Sequence, residues 1–159
     1  MTSADELWVE VYQGEVLGEA LFGLLTEREQ DPARRRQLET LVVLERSTKE
    51  LAAPVLARRA LEPGDTAMTV ASAAAMADGV SAMPWERFVA SLEPGTAEFL
   101  AKYRRLVELA EDDSEREVAE TYVAHERALA SFARRALGQE PGEPLEPILS
   151  LPHVAAAVV

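Results

Sequence analysis

Residues 114–138 read SEREVAETYVAHERALASFARRALG, and their spacing decides the fold. Val118, Tyr122, His125, Leu129, Phe132 and Ala136 recur at steps of three and four, the period of one face of an α-helix. Ser114-Glu115-Arg116-Glu117 predicts the start as a capping box, with the serine hydroxyl accepting from an unpaired N–H and the glutamate reaching back. Gly138 suits the left-handed residue that follows a helix. His125 stands at the middle of this seam, where a leucine would pack without losing hydration. Glu126 is one step around, on a row with Tyr122 and Leu129.

Three more long helices are predicted upstream. Ser3-Ala4-Asp5-Glu6 is another capping box, and a helix follows from about Ala4 to Glu29. Asp31-Pro32 starts a second, running to about Leu61, with Pro54 expected to kink it. Glu62-Pro63-Gly64-Asp65 ends that helix. Asp65 or Thr66 caps a short Ala-rich helix ending near Ala77, and Asp78-Gly79 turns the chain. A short helical stretch from Pro84 to Val89 is interrupted by Pro94-Gly95-Thr96, and the third long helix runs from about Ala97 to Glu111. Prolines 141, 144 and 147 forbid helix and strand in the segment after Gly138. The chain thus divides into a helical part, 1–138, and a tail, 139–159, whose apolar end is expected to dock on the helices or on a partner.

The inner faces carry polar residues at matching heights. In the second long helix Leu38, Leu41, Glu45, Thr48, Ala52 and Val55 share a stripe, and in the third Phe99, Tyr103, Leu106 and Ala110 do. In the first, Leu7, Val11, Gly14, Gly18, Leu21 and Leu25 form the stripe, with Glu15 and Glu19 on a neighbouring row. Glu19 is 12 residues before Asp31 and Glu45 is 14 after it; Tyr103 is 10 before Asp113 and His125 is 12 after it. At 1.5 Å per residue these groups lie within about two turns of one level. A buried carboxylate costs several kcal/mol unless paired or liganded, so Glu15 or Glu19, Glu45, His125 and Glu126 need partners. Thr48, Tyr103 and Tyr122 are their expected polar neighbours. One of the two first-helix glutamates is expected at the solvated rim. Gly14, Gly18 and Gly23, each costing about 1 kcal/mol in a helix relative to Ala, are expected to allow close packing.

Composition narrows the function. The 159 residues carry 28 Asp and Glu against 16 Lys and Arg, a net charge of −12. Nucleic-acid binding and attraction to an anionic membrane are disfavoured, because both need clustered cations. With no Cys, thiol catalysis and thiolate metal sites are excluded. No apolar run reaches a membrane span, the N-terminal residues do not read as a signal peptide, and the expected setting is the cytoplasm.

Tyr12-Gln13-Gly14-Glu15-Val16-Leu17-Gly18-Glu19, Leu44-Glu45-Arg46-Ser47-Thr48 and Ala124-His125-Glu126 resemble helices of the ferritin-like superfamily. The resemblance covers about residues 4–138. It implies an all-α, ferritin-like four-helix bundle with a long helical crossover, about Leu61 to Met83, between the second and third long helices. That length suffices to travel back along helices of about 38 Å. The di-iron members use Glu-x-x-His on the second and fourth helices and one Glu on each of the others. Here Thr48 and Tyr122 stand where a His and a Glu are required, and Glu98 and Glu108 lie off the third helix's seam. The resemblance therefore implies at most a reduced site, with one divalent ion, Fe or Mn, among Glu15, Glu19, Glu45, His125 and Glu126. The favoured reading is a non-enzymatic bundle whose polar core is a remnant, self-satisfied network. It is expected to be a homo-oligomer, in simplest form a dimer, with Trp8, Trp85, Phe88 and the apolar tail as interface candidates. The alternative is a metal-dependent oxidoreductase or metal-binding protein.

Overall fold

The computed structural model describes residues 2–159, which form seven helices and no strand. Four are long: α1 (Ala4–Arg28), α2 (Pro32–Arg58), α4 (Trp85–Leu109) and α5 (Asp113–Ala136). Between the pairs lies α3 (Thr66–Ser81), and α6 (Glu146–Leu149) and α7 (Pro152–Ala157) follow. α1 packs on α2, α4 on α5, and α3 along α1. Among the described residues no helix is long and apolar enough to cross a membrane.

Polar contacts tie the ends together. At one end Arg59, just past α2, grips Asp5 of α1 at 2.7 Å and Glu115 of α5 at 2.7 and 2.8 Å. At the other, Arg28 of α1 pairs with Asp78 of α3 at 2.9 Å, and the Arg34 guanidinium of α2 lies 5.5 Å from the Trp85 ring of α4. Two apolar clusters fill the interior. One gathers Leu21, Phe22, Leu41, Phe88 and Phe132; the other Trp8, Val11, Val55, Leu106 and Tyr122. Between them, at mid-height, lies a layer of buried polar side chains.

Several local expectations are corrected. α5 is capped by Asp112, not Ser114: the Asp112 carboxylate accepts from Glu115 N at 2.8 Å. Asp112-x-x-Glu115 has the capping spacing, and a charged acceptor is stronger than a hydroxyl. α3 runs through Asp78-Gly79 to Ser81, because Arg28 holds Asp78 and Ser81 donates to Ala77 O at 2.7 Å. α4 is unbroken across Pro94-Gly95. An internal proline costs about 3 kcal/mol, but the helix buries Phe88, Val89, Tyr103 and Leu106 on both sides of it, each apolar side chain contributing roughly 1.5–3 kcal/mol. α2 stops at Arg58, where Ala60 takes φ 54° and Leu61 N reaches Leu56 O at 2.9 Å. That is the glycine-type helix ending, here on an alanine. Gly138, at φ 70°, makes the same ending after α5.

The tail also holds helix, since α6 and α7 each take proline in the first turn, where its missing donor is not needed. α6 packs on α5 and α7 on α2, with Ile148 and Val154 fully buried. Trp8 and Phe88 are buried in the core of the chain itself, and Trp85 packs 5.5 Å from Phe88. Gly18 is a close-packing glycine. Gly23 is not, because a β-carbon there meets nothing within 4 Å.

Candidate metal centre

Glu15 from α1, Glu45 from α2 and His125 from α5 meet in the polar layer. One ligand atom of each lies within 4.8 Å of the others. All three are buried, with Glu15 and His125 only 1% exposed. His125 Nε2 is 3.5 Å from Glu45 Oε1, and Nδ1 is 3.6 Å from Glu15 Oε2. Gly18 makes room for this approach: a β-carbon there would lie 2.5 Å from Glu45 Oε2.

Thr48 orients the imidazole. Its single hydroxyl proton goes to Leu44 O at 2.8 Å. The oxygen is then an acceptor for His125 Nδ1 at 3.0 Å and for His153 Nε2 at 2.9 Å. A neutral His125 therefore carries its proton on Nδ1 and turns a basic Nε2 toward Glu45. The Tyr122 ring stacks on His125 at 6.4 Å with planes 6° apart, but its buried hydroxyl has no partner.

The electrostatics follow from burial between two apolar clusters. Glu15 is held well above the usual carboxylate range, first by loss of hydration and then by the Glu45 charge. Glu126 is pushed up to about 7 by burial, which the His125 charge only partly offsets. At His125 burial acts downward, but the charge and hydrogen bond of Glu45 outweigh it, and the imidazole titrates above its ordinary value. His153 is lowered to about 4, by burial and then by the positive charge of His125. Two acids are thus protonated more readily than free carboxylates, and Glu15 Oε2 is buried with no hydrogen bond.

The other sequence candidates fall around this trio. Glu19 is at the rim, bound by Arg46 at 2.8 Å and by Lys49. Four residues turn a helix only about 40° past a full circle, so it is the pairs with α2 that hold Glu19 at the rim. It is not a ligand. Glu126 is buried beside the trio, but it is not one of the three groups that converge. Glu98 and Glu108 of α4 are exposed and pair with Lys102 and Arg105. His153 was not among the sequence candidates. Its only signal is a histidine set between Leu151 and Val154 in an apolar stretch.

Two carboxylates and one imidazole are a mixed oxygen and nitrogen donor set that suits Fe, Mn or Zn. A buried Glu15 oxygen with no hydrogen bond, close to a second carboxylate, fits a cation at their centre. Comparison with protein families, curated proteins and solved structures finds no match for this chain.

Proposed function

We propose that this chain is a ferritin-like helical protein that binds one divalent transition metal, Fe or Mn, through Glu15, Glu45 and His125. The observation that carries the reading is the buried convergence of these three ligand atoms within 4.8 Å, with Glu15 Oε2 making no hydrogen bond. A bound ion would supply Lewis acidity and, for Fe or Mn, a one-electron couple. Thr48 would hold His125 in the ligating tautomer, since a histidine ligand needs its other N–H fixed. The end contacts support the family reading. Arg59 with Asp5 and Glu115 at one end, and Arg34 with Trp85 at the other, are the contacts that parallel α2 and α4 joined by a crossover at about Leu61 to Met83 would make.

Elemental analysis of protein purified without chelator, repeated after anaerobic Fe(II) addition, tests the reading. About one equivalent of Fe or Mn is expected, falling to background in Glu45→Ala and His125→Ala. A metal-free wild type under both conditions would contradict it. A second reading has its own support, because Thr48, His125 and Glu45 already satisfy one another by hydrogen bonds and charge. In that reading the layer is a structural remnant, and the metal-free result is its signature.

A further inference from the structure

A cavity of about 240 Å³ opens where α1 turns into α2, beside the end of α3 and the start of α4. Leu25, Leu38 and Phe88, all buried, contribute apolar lining, and Val80 and Met83 add to it. Arg28, Glu29, Arg34 and Trp85 bring the charged and aromatic groups. The cavity shares no residue with the Glu15–Glu45–His125 trio. We propose that it binds a small carboxylic acid with an apolar body of about ring size, the carboxylate pairing with Arg34.

The state of the charged groups carries the inference. Arg28 is committed, donating to Ser81 Oγ at 3.0 Å and pairing with Asp78 at 2.9 Å. Glu29 is committed too, since its carboxylate accepts from the backbone N–H of Gln30 and of Asp31, both at 2.9 Å. Arg34 is not. Its guanidinium lies over the Trp85 ring at 5.5 Å, within reach of cation–π attraction. Among the described residues its only ion-pair partner is Glu86, 70% exposed and 3.8 Å away, which is beyond hydrogen-bond reach. Acidic residues outnumber basic ones 28 to 16, yet none closes on this guanidinium. It is thus restrained by the indole with its N–H fork unclaimed, and that planar fork matches a carboxylate through two parallel hydrogen bonds. One uncommitted cation with Glu29 and Glu86 nearby favours a monoanion over a phosphate dianion. The apolar lining sets the rest of the ligand. An engineered apolar cavity of about 150 Å³ takes benzene, so this one admits a ring bearing a short acid arm.

Phenylacetate is the probe, titrated into the full chain after dialysis against chelator, so that no metal ion competes for the carboxylate. Two-dimensional NMR follows the titration. Saturable one-site binding is expected, with the Trp85 indole N–H among the signals that move most. On the same wild-type protein 2-phenylethanol, which keeps the ring but lacks the charge, is expected to bind at least tenfold more weakly. Acetate, which keeps the charge but lacks the ring, is expected to do the same. Arg34→Gln is expected to weaken phenylacetate binding at least tenfold. Arg104→Gln, a guanidinium outside the cavity, is expected to bind as the wild type does. No saturable phenylacetate binding would overturn the proposal. So would 2-phenylethanol or inorganic phosphate binding as tightly as phenylacetate, an unchanged affinity in folded Arg34→Gln, or shifts centred away from Trp85. The wild-type comparisons decide the matter even where a variant fails to fold.

Discussion

At the scale of single residues, Gly18 and Thr48 set the geometry of the trio. A methyl on Gly18 would stand 2.5 Å from Glu45 Oε2, so the carboxylate must swing away. Alanine also favours the helix by about 1 kcal/mol. Gly18→Ala is therefore expected to keep or raise the melting temperature while weakening Mn(II) binding at least tenfold, read by titration calorimetry. Unchanged affinity would mean that Glu45 is not a ligand. Thr48 is fully buried and takes hydrogen bonds from two imidazoles. Thr48→Val keeps the shape but leaves both ring nitrogens unpaired, an expected loss of about 1–3 kcal/mol in urea unfolding. Glu45, Thr48 and His125 were legible in the sequence because each sits squarely on an apolar helical seam. Glu15 and Glu19 were not separable there, since four residues differ by only about 40° around a helix. The salt bridges of Glu19 to α2, which follow from how the helices are turned against each other, decide between them.

At the scale of elements, the Arg59–Glu115 pair closes one end. Glu115 is 3% exposed and titrates below the ordinary carboxylate range because the Arg59 guanidinium binds it through two nitrogens. A carboxyl lowered in the folded state contributes stability that is fully present above its unfolded value, about 4.5, and is lost as pH falls through the folded value. The wild type is expected to lose stability progressively below pH 4.5, and Arg59→Ala to flatten part of that dependence. At neutral pH Arg59→Ala is expected to cost about 2–3 kcal/mol, the scale of hydrogen bonds to charged groups. Identical acid profiles for the two proteins would refute the assignment. Helix existence was legible from period and caps, and element ends less so. Pro94-Gly95 and Asp78-Gly79 read as breaks because local propensity favours breaks there. Neither interrupts its helix, since the burial of α4 and the Arg28–Asp78 contact act over distances no local window contains.

At the scale of the whole molecule, the tail completes the core. Ile148 and Val154 are fully buried, and α7 delivers His153 to Thr48. Removing residues 139–159 strips two fully buried aliphatic side chains, each contributing roughly 1.5–3 kcal/mol. The truncated chain is expected to unfold at a clearly lower temperature, and an unchanged melting curve would contradict a structural role for the tail. The apolar character of this segment was legible, but its His153 contact was not. A histidine's partner across 105 residues depends on where the tail docks. Above these details stands the claim that three helices bring Glu15, Glu45 and His125 together around one cation. Anomalous diffraction at the manganese edge, from crystals grown with Mn(II), tests it most directly. The account expects one dominant peak bounded by Glu15, Glu45 and His125. No peak there, or a dominant peak at the exposed acidic turn near Asp112, would contradict it.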